Sequence, residues 1–266
     1  NYYNEPLIIT YSGGKDSDVL LELAIRAEIP ILVLHSLTTA DAPQTFYHIK
    51  SKFKLLEEKG IECEIVYPTY KGKRINMWKL ITIKKTPPTR FIRYCCAVLK
   101  ETAGDGRMIA TGVRWDESRQ RSNRGMLENI TKSLKSKNKI ILTNDNDDKR
   151  KLIEVCQMRA KTVSNPIIDW TNNDVWDFIG GNNIEVNSLY KCGFNRVGCI
   201  GCPLAGRRIR EFEFAMFPKY KNLYIRSFDK MLEILKLERK IDWRNGNEVF
   251  KWWLGYDYRQ LSFFED

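Results

Sequence analysis

The sequence predicts an α/β fold in which a parallel sheet is flanked by helices. Short apolar runs at residues 7–9 and 31–34 are typical of buried strands, and the run at residues 62–67 alternates and carries β-branched side chains. Helical segments separate these runs, and strands that alternate with helices form parallel sheets through right-handed crossovers. We therefore expect a Rossmann-like parallel sheet flanked by helices.

The remaining elements follow in chain order. The first helix is expected over residues 18–28. Pro43 opens the second helix, because proline is favoured at the first helical position, and Gly60 ends it. Thr171 and Asp174 form a capping-box pattern at the start of a later helix. The other assignments are less regular structure at 68–90, a helix at 89–102, a fourth strand at 108–112, an exposed loop at 144–151, helices at 207–217 and 220–240, and a tail with Trp252 and Trp253.

The composition is that of a soluble globular protein. A hydrophobic content of 43% in 266 residues is enough for a large core. No apolar run approaches the ~18 residues of a membrane span, and the first five residues are polar and lack a secretory signal. We expect a cytoplasmic protein with no membrane partner.

The formal charge of +11 is unevenly distributed. Residues 65–100 contain no Asp or Glu, and aromatic side chains are interleaved with the basic ones. This pattern predicts a surface for a polyanion, either DNA or RNA. The alternative is a solvated face with local anion binding for a nucleotide. The nine basic residues are Lys71, Lys73, Arg74, Lys79, Lys84, Lys85, Arg90, Arg93 and Lys100.

Residues 8–17 read as a strand, a two-glycine turn and a helix N-terminus. Backbone N–H groups converge at such a turn and the helix dipole adds partial positive charge, so the turn binds anions. The spacing excludes a Walker A loop, which needs four residues between its first glycine and Gly-Lys. We expect a phosphate chain, held by Ser12, Gly13, Gly14, Lys15, Asp16 and Ser17.

Clustered cysteines indicate a metal site or thiol chemistry. The chain has seven cysteines, and Cys192, Cys199 and Cys202 lie close together among glycines. Cys95 and Cys96 offer further ligands from another part of the chain. A [4Fe–4S] cluster, a structural zinc site and a redox dithiol are all open on the residues alone. Five candidates for four ligand positions leave one thiol over, which is a candidate persulfide carrier.

The loop matches the Ser-Gly-Gly-x-Asp-Ser signature of the pyrophosphatase-loop (PP-loop) enzymes, which cut ATP between the α and β phosphates. Over about residues 5–205 the chain resembles the phosphoadenosine phosphosulfate (PAPS) reductase family, whose fold is adenine nucleotide alpha-hydrolase-like. Besides the loop, the resemblance is carried by Arg93-Tyr94-Cys95-Cys96, Gly112-Val113-Arg114 with Ser118 and Arg121, residues 165–176, and Cys199 with Cys202.

The resemblance implies cofactors and site residues. The cofactors are ATP, or adenylyl sulfate or PAPS in its place, with Mg²⁺ and a [4Fe–4S] cluster, for which Zn²⁺ is the alternative. Arg119 is a further candidate clamp on phosphate, and the alternative for each arginine is an ordinary surface position. The implied catalytic residues are Lys15, Asp16, Ser17 and Arg114; the nucleotide contacts are Ser12 to Ser17, Gly112, Arg114 and Arg121; the metal ligands come from Cys95, Cys96, Cys192, Cys199 and Cys202.

Two departures from the reductases favour ATP chemistry. Reductases complete catalysis with a cysteine in a C-terminal Glu-Cys-Gly segment, which this sequence lacks after Cys202. Their loop is degenerate, whereas this loop is intact. The cysteine spacing resembles that of the DNA phosphorothioation sulfur-transfer enzymes. We expect adenylation of a substrate with pyrophosphate release and iron–sulfur-dependent sulfur transfer to a nucleic acid; the alternatives are sulfonucleotide reduction and a non-catalytic nucleotide-binding module.

The expected domain organisation has two parts. Residues 1–181 form the PP-loop nucleotide-binding α/β domain, and residues 182–266 form a cysteine-rich turn and helical region that packs on it. The resemblance also implies a sulfur-donor protein as a partner and a homo-oligomer or larger complex.

Overall fold

The structure is a computed structural model that describes residues 5–100, 104, 106–118, 121–129, 139–140, 162–238 and 241–256. The expected loop at 144–151 and Arg119 lie outside these residues. The strands, in chain order, are β1 (Leu7–Thr10), β2 (Ile31–Ser36), β3 (Glu62–Val66), β4 (Thr69–Tyr70), β5 (Lys73–Arg74), β6 (Met108–Ala110), β7 (Leu127–Asn129), β8 (Lys139–Ile140) and β9 (Thr162–Ser164). The helices are α1 (Lys15–Arg26), α2 (Pro43–Glu57), α3 (Met77–Lys84), α4 (Tyr94–Leu99), α5 (Asn172–Gly181), α6 (Arg207–Met216), α7 (Pro218–Glu238) and α8 (Gly246–Leu254).

Two compact units make up the chain. The first contains the described parts of Asn1–Leu37, Pro43–Tyr67 and Lys100–Gly198, and the second contains those of Thr38–Ala42, Pro68–Leu99 and Cys199–Asp266. The division predicted between residues 181 and 182 stays a prediction.

The first unit is built on a seven-stranded sheet in the order β3-β2-β1-β6-β9-β7-β8. The first five strands run parallel, while β7 and β8 pair antiparallel at one side. The predicted α/β fold with a parallel sheet flanked by helices is therefore confirmed. Its switch in strand order lies at β1 and β6, where ligands bind in sheets of this kind.

The core of the first unit follows the alternation of side chains along the strands. Ile9 of β1 and Val33 of β2 pack against Leu20 of α1 and Phe53 of α2. The neighbouring residue Ile8 faces the opposite side of the sheet. A further apolar cluster joins α1 to α5 through Val19, Ile167, Val175 and Ile179. These contacts fix the N-terminus of α1 at the carboxyl end of β1.

The second unit departs from the sequence-based expectation in three places. Residues 68–90, expected to be less regular, contain the β4–β5 hairpin and α3, whose first turn is capped by the Asn76 side chain. Of the helix expected at 89–102, the described residues form α4, because Thr89 turns the preceding chain through bonds from the Phe91 and Ile92 N–H groups. Residues 101 and 102 lie outside the described residues. The expected C-terminal tail is α8, which Asn245 caps.

The helices of the described residues include none that is both long and apolar enough to cross a membrane.

Candidate nucleotide site and cysteine group

The glycine loop joins the end of β1 to the start of α1. Gly13 has φ +72°, and a Cβ atom there would lie 2.9 Å from Ile49 Cγ1, so glycine is required. Ser17 closes the loop, because its Oγ accepts the N–H groups of Gly14 at 3.1 Å and Ser12 at 3.3 Å and donates to the Gly14 carbonyl at 2.7 Å. The loop therefore holds its shape through its own serine before α1 begins.

A cluster of three charged side chains lies at this loop. Lys15 Nζ is 3.0 Å from both carboxylate oxygens of Asp16, and Arg114 Nε donates to Asp16 Oδ1 at 2.7 Å. Burial lowers the pKa of Lys15, and the charge of Asp16 acts in the opposite direction. Arg114 is 2% exposed, so the interpretation as an ordinary surface arginine is wrong for this residue.

The segment after β6 packs directly against the loop. A Cβ atom at Gly112 would lie 2.8 Å from the Asp16 carbonyl oxygen, so only glycine allows this approach. Arg114 Nη1 donates to the Trp170 carbonyl at 3.1 Å, and Asn165 links Thr111 to the Gly125 carbonyl. The Asn-Pro element at residues 165–170 thus positions the arginine that reaches Asp16.

Arg121 is linked to this charged cluster through Glu117, whose Oε2 accepts the Arg114 N–H at 3.1 Å. It is half-exposed and forms an ion pair with Glu117, four positions earlier. Its role in nucleotide binding stays a prediction.

Two residues at the loop carried no signal in the sequence. The Tyr190 hydroxyl accepts the Lys15 N–H at 2.8 Å, although the two residues lie 175 positions apart. Asn187 Nδ2 donates to the Gly13 carbonyl at 3.2 Å and to Thr45 Oγ1 at 3.1 Å. Burial raises the pKa of Tyr190, so the hydroxyl stays neutral. The mixed polar and apolar sequence of residues 187–192 does not indicate these contacts, which only the tertiary fold creates.

A buried polar network lies behind the loop. The Tyr11 hydroxyl donates to Asp18 Oδ1 at 2.6 Å and lies 3.1 Å from His48 Nε2. Asp18 Oδ1 is 3.5 Å from the same histidine nitrogen, and Asp18 Oδ2 has no hydrogen-bond partner. Burial raises the pKa of Tyr11, and the Asp18 charge raises it further. The first turn of α1 is therefore anchored by a neutral phenol and a buried carboxylate.

Four of the five candidate metal ligands belong to the second unit. Cys95, on α4, is buried, while Cys96, Cys199 and Cys202 are half-buried. A hydrogen bond with Cys96 raises the pKa of Cys95, as do burial and the charges of Cys96, Cys199 and Cys202. These thiols therefore lie close enough to interact electrostatically. Cys192 belongs to the first unit and is exposed.

The thiols are not drawn together into a finished metal site. Within the described ranges, no set of three or more His, Cys, Asp or Glu side chains is arranged to hold a metal ion. Arg93 Nη2 lies 3.3 Å from Cys96 Sγ, and Cys199 Sγ lies 3.4 Å from Thr38 Oγ1. The donor set still matches an iron–sulfur site in number and kind, because it offers four thiols beside a cation, and two of the four form a Cys-x-x-Cys pair.

The loop that carries Cys199 and Cys202 is fixed along its backbone. The Ile200 N–H donates to the Ala40 carbonyl at 2.8 Å, and the Ile200 carbonyl accepts from the Tyr224 hydroxyl at 2.9 Å. The Gly201 N–H donates to Glu213 Oε2 at 2.7 Å. Such a loop presents its two thiols from a rigid frame.

The chain is similar to one family model and to several known proteins. The family model "Phosphoadenosine phosphosulfate reductase domain" matches residues 6–205. An uncharacterized protein of Methanocaldococcus jannaschii is 30% identical over 243 residues, which are 88% of this chain and 48% of the relative. An adenosine 5′-phosphosulfate reductase of Staphylococcus haemolyticus is 26% identical over 209 residues, 75% of this chain and 71% of the enzyme. The crystal structure of phosphoadenylyl-sulfate reductase from Candida auris matches with a TM-score of 0.45 at 16% identity and covers 74% of this chain and 82% of that one.

The chain spans half or less of the length of the two uncharacterized Methanocaldococcus jannaschii relatives that it matches. The family match covers the glycine loop, the Gly112–Arg114 segment and all five candidate cysteines. The resemblance inferred from these motifs is thereby confirmed, and the chain belongs to the phosphoadenosine phosphosulfate reductase domain family.

Proposed function

We propose that this chain is an enzyme domain that binds ATP at the Ser12 to Ser17 loop and adenylates a substrate oxygen, with pyrophosphate as the leaving group. The observation that carries the proposal is the loop itself, which Ser17 closes and which the Lys15–Asp16–Arg114 cluster flanks with two cations. The partial positive charge at the N-terminus of α1 suits the phosphates of a nucleotide.

The chemistry assigned to these residues is charge neutralisation and positioning. A substrate oxygen attacks the α phosphorus, the bond to the bridging oxygen breaks, and pyrophosphate departs. Lys15 and Arg114 balance the charge that develops on the leaving group. Both oxygens of Asp16 already accept from cations, so we assign Mg²⁺ to the nucleotide phosphates, with Asp16 holding Lys15 and Arg114 in place.

The second half of the reaction is sulfur transfer. Cys95, Cys96, Cys199 and Cys202 would hold an iron–sulfur cluster, which when bound supplies a centre for sulfide or electron transfer. Cys192, exposed and outside this group, is the proposed sulfur carrier. A persulfide on the sulfur-donor protein transfers its outer sulfur to the Cys192 thiolate and leaves as a thiol. The outer sulfur of the Cys192 persulfide then displaces AMP from the adenylated substrate and joins the substrate to Cys192 through a disulfide. Two equivalents of an external thiol reduce this disulfide, which frees the thiolated product and the Cys192 thiol.

A second candidate function is sulfonucleotide reduction. It is favoured by the relative named adenosine 5′-phosphosulfate reductase, which this chain matches over 71% of its length. In that case the same loop holds adenylyl sulfate or PAPS, and sulfite is the product.

One anaerobic preparation distinguishes the two functions. We expect pyrophosphate release from Mg-ATP in the presence of substrate, and no sulfite from adenylyl sulfate or PAPS with a thiol donor. Lys15→Ala abolishes pyrophosphate release, whereas Lys54→Ala, an exposed lysine on α2 of the same unit, leaves it unchanged. Sulfite release that depends on Lys15 would replace the first function by the second, and ATP binding without turnover would indicate a non-catalytic module.

A further inference from the structure

A basic hairpin projects from the second unit. β4 and β5 pair with Thr69 opposite Arg74 and Tyr70 opposite Lys73. The turn between them places Lys71 at φ 51° and Gly72 at φ 76°. Asparagine and glycine adopt this left-handed conformation at lower cost than lysine does. The hairpin therefore carries a charged side chain at a position that the backbone conformation alone does not favour. Lys71, Lys73 and Arg74 are all exposed.

Tyr70 organises further charge at the base of this hairpin. Lys84 Nζ, on α3, donates to the Tyr70 hydroxyl at 3.1 Å and lies 4.7 Å from the centre of its ring. Lys71 Nζ lies 5.9 Å from the same centre. The hydrogen bond and charge of Lys84 lower the pKa of Tyr70, and Lys71 lowers it further. The potential at this face is therefore positive and sustained by several cations.

An exposed aromatic side chain lies on a nearby turn. Phe91 is 89% exposed, and Thr89 holds its turn through bonds with the Phe91 and Ile92 N–H groups. Arg90 Nε donates to the Pro203 carbonyl at 3.3 Å and ties the turn to the loop after Cys202. The turn leads into α4, which contacts β4. The hairpin and the Phe91 turn therefore lie on neighbouring elements of one unit.

We propose that the hairpin and the Phe91 turn form a binding surface for a single-stranded polynucleotide. Lys71, Lys73 and Arg74 contact phosphates, and Phe91 stacks on an unpaired base. The absence of Asp and Glu from the sequence of residues 65–100 suits a polyanion along its whole length. The stacking ring distinguishes this from a purely electrostatic face, since a base has an aromatic surface to offer. The inference rests on the proposed function and deepens it by naming the substrate class, and its binding measurements do not depend on turnover.

The charge contribution is tested by fluorescence anisotropy with a labelled single-stranded oligonucleotide, in DNA and RNA forms and as a duplex. The variant K71E/K73E/R74E should bind at least about tenfold more weakly at low salt. Its logarithmic salt dependence should be shallower by about 2, because each contact with a single strand contributes about 0.7. The matched control K219E/R226E/K230E makes the same charge change on exposed positions of α7 in the same unit, and it should lose much less affinity.

The stacking contribution is tested separately. Phe91→Ala should weaken binding of single strands about tenfold without changing the salt slope, because stacking on one base is worth about 1–3 kcal/mol. Phe91→Trp should restore the affinity. Leu237→Ala removes an apolar side chain of similar exposure, 88%, from α7, and it should have no effect. The DNA and RNA arms show which polymer is preferred.

Several outcomes would contradict the proposed binding surface. Equal losses of oligonucleotide affinity in the hairpin variant and its α7 control would show that only the net charge matters. Unchanged affinity in Phe91→Ala would show that Phe91 does not stack on a base. Binding to vesicles that contain phosphatidylserine, with none to oligonucleotides, would make the face a membrane surface instead. Pyrophosphate release by the wild type, together with strand binding that neither the hairpin variant nor Phe91→Ala weakens, would leave the proposed function standing while the surface fails. Intact strand binding without pyrophosphate release would do the reverse.

Discussion

Arg114 Nε donates a 2.7 Å hydrogen bond to Asp16 Oδ1, and this bond joins two motifs that lie 98 positions apart. Arg114 is held in turn by the Trp170 carbonyl, which accepts from Nη1 at 3.1 Å. The glycine loop, the segment after β6 and the Asn-Pro element therefore meet in one charged cluster. Because the Arg114 side chain is buried and Asp16 is half-buried, this charged pair depends on each partner being present.

Removal of the Arg114 side chain should cost both stability and nucleotide affinity. Arg114→Ala leaves Asp16 with Lys15 as its remaining cation and the Trp170 carbonyl without its donor. We expect a loss of about 2–3 kcal/mol in the free energy of unfolding, as for charged hydrogen bonds that lose one partner, measured by urea titration. Calorimetry should show ATP binding weakened about tenfold or more, because one of the two cations proposed to balance the phosphate charge is lost.

The control for this prediction is Arg26→Ala in the same unit. Arg26 makes an exposed i,i+4 ion pair with Glu22, so its removal should change stability by less than about 1 kcal/mol and leave ATP affinity unaltered. Arg114→Lys, which keeps the charge but not the fork, should lie between wild type and alanine. Equal effects of Arg26→Ala and Arg114→Ala would contradict the role given to the cluster.

Gly112 should tolerate no side chain. The Cβ atom of Gly112→Ala would lie 2.8 Å from the Asp16 carbonyl oxygen and 2.9 Å from its carbon, and backbone atoms cannot move aside cheaply. We expect a loss of about 1–3 kcal/mol in the free energy of unfolding and weaker ATP binding, as the loop is pushed away. Gly180→Ala is the comparison, because nothing lies within 4 Å of its Cβ position in α5. That variant should be neutral or more stable by up to about 1 kcal/mol.

The raised pKa of Tyr11 predicts that the free energy of unfolding decreases at alkaline pH. Its folded pKa is raised by burial and by Asp18, whereas the unfolded phenol titrates near ~10. The phenol therefore contributes its full stability below pH ~10, and this contribution falls as the pH rises towards the folded pKa. Tyr11→Phe removes the titrating group, so the stability advantage of the wild type over this variant should shrink above pH ~10. Urea midpoints measured from neutral to alkaline pH give the difference, and a constant difference would refute the assignment.

The local signals in the sequence were the ones that predicted structure well. Two glycines and two serines between an apolar run and a helix predicted the loop. Thr171 and Asp174 predicted the helix cap, which the structure confirms: Thr171 Oγ1 donates to Asp174 Oδ2 at 2.8 Å and accepts the Asp174 N–H at 3.2 Å. The β4–β5 hairpin was not predicted, because each of its strands has two residues and shows no alternation of apolar and polar side chains.

Contacts between distant residues had no signal at all. Tyr190 and Asn187 contact the loop from the 3₁₀ helix Ser188–Cys192 and its N-cap, and a single sequence does not show that these residues are close to the loop. The Tyr11–Asp18–His48 network likewise appears only when α1 and α2 pack against the same strand. The physical reason is that contacts between distant residues depend on tertiary packing, which the hydrophobic periodicity and the composition of a single sequence do not specify.

Thiol labelling should separate the ligand cysteines from the others. In protein loaded with iron and sulfide under anaerobic conditions, Cys192 should react quickly with iodoacetamide, because it is exposed. Cys95, Cys96, Cys199 and Cys202 should be protected until a chelator removes the metal. Cys63 should stay unlabelled in both states, because burial raises its pKa to about 12 and keeps it protonated near neutral pH. Mass spectrometry of the digested protein reports each site.

The comparison of loaded and chelated protein also decides which four of the five thiols bind. Iron content should fall in Cys95→Ser and Cys199→Ser and remain in Cys192→Ser. Cys63→Ser is the matched control, since it removes a half-buried thiol of the first unit that lies outside the candidate ligands. Protection of Cys192 together with reactivity of Cys95 or Cys96 would show that the ligand set includes the exposed thiol. Sulfur delivery would then need a carrier other than Cys192, since a thiol bound to iron is not free to hold a persulfide.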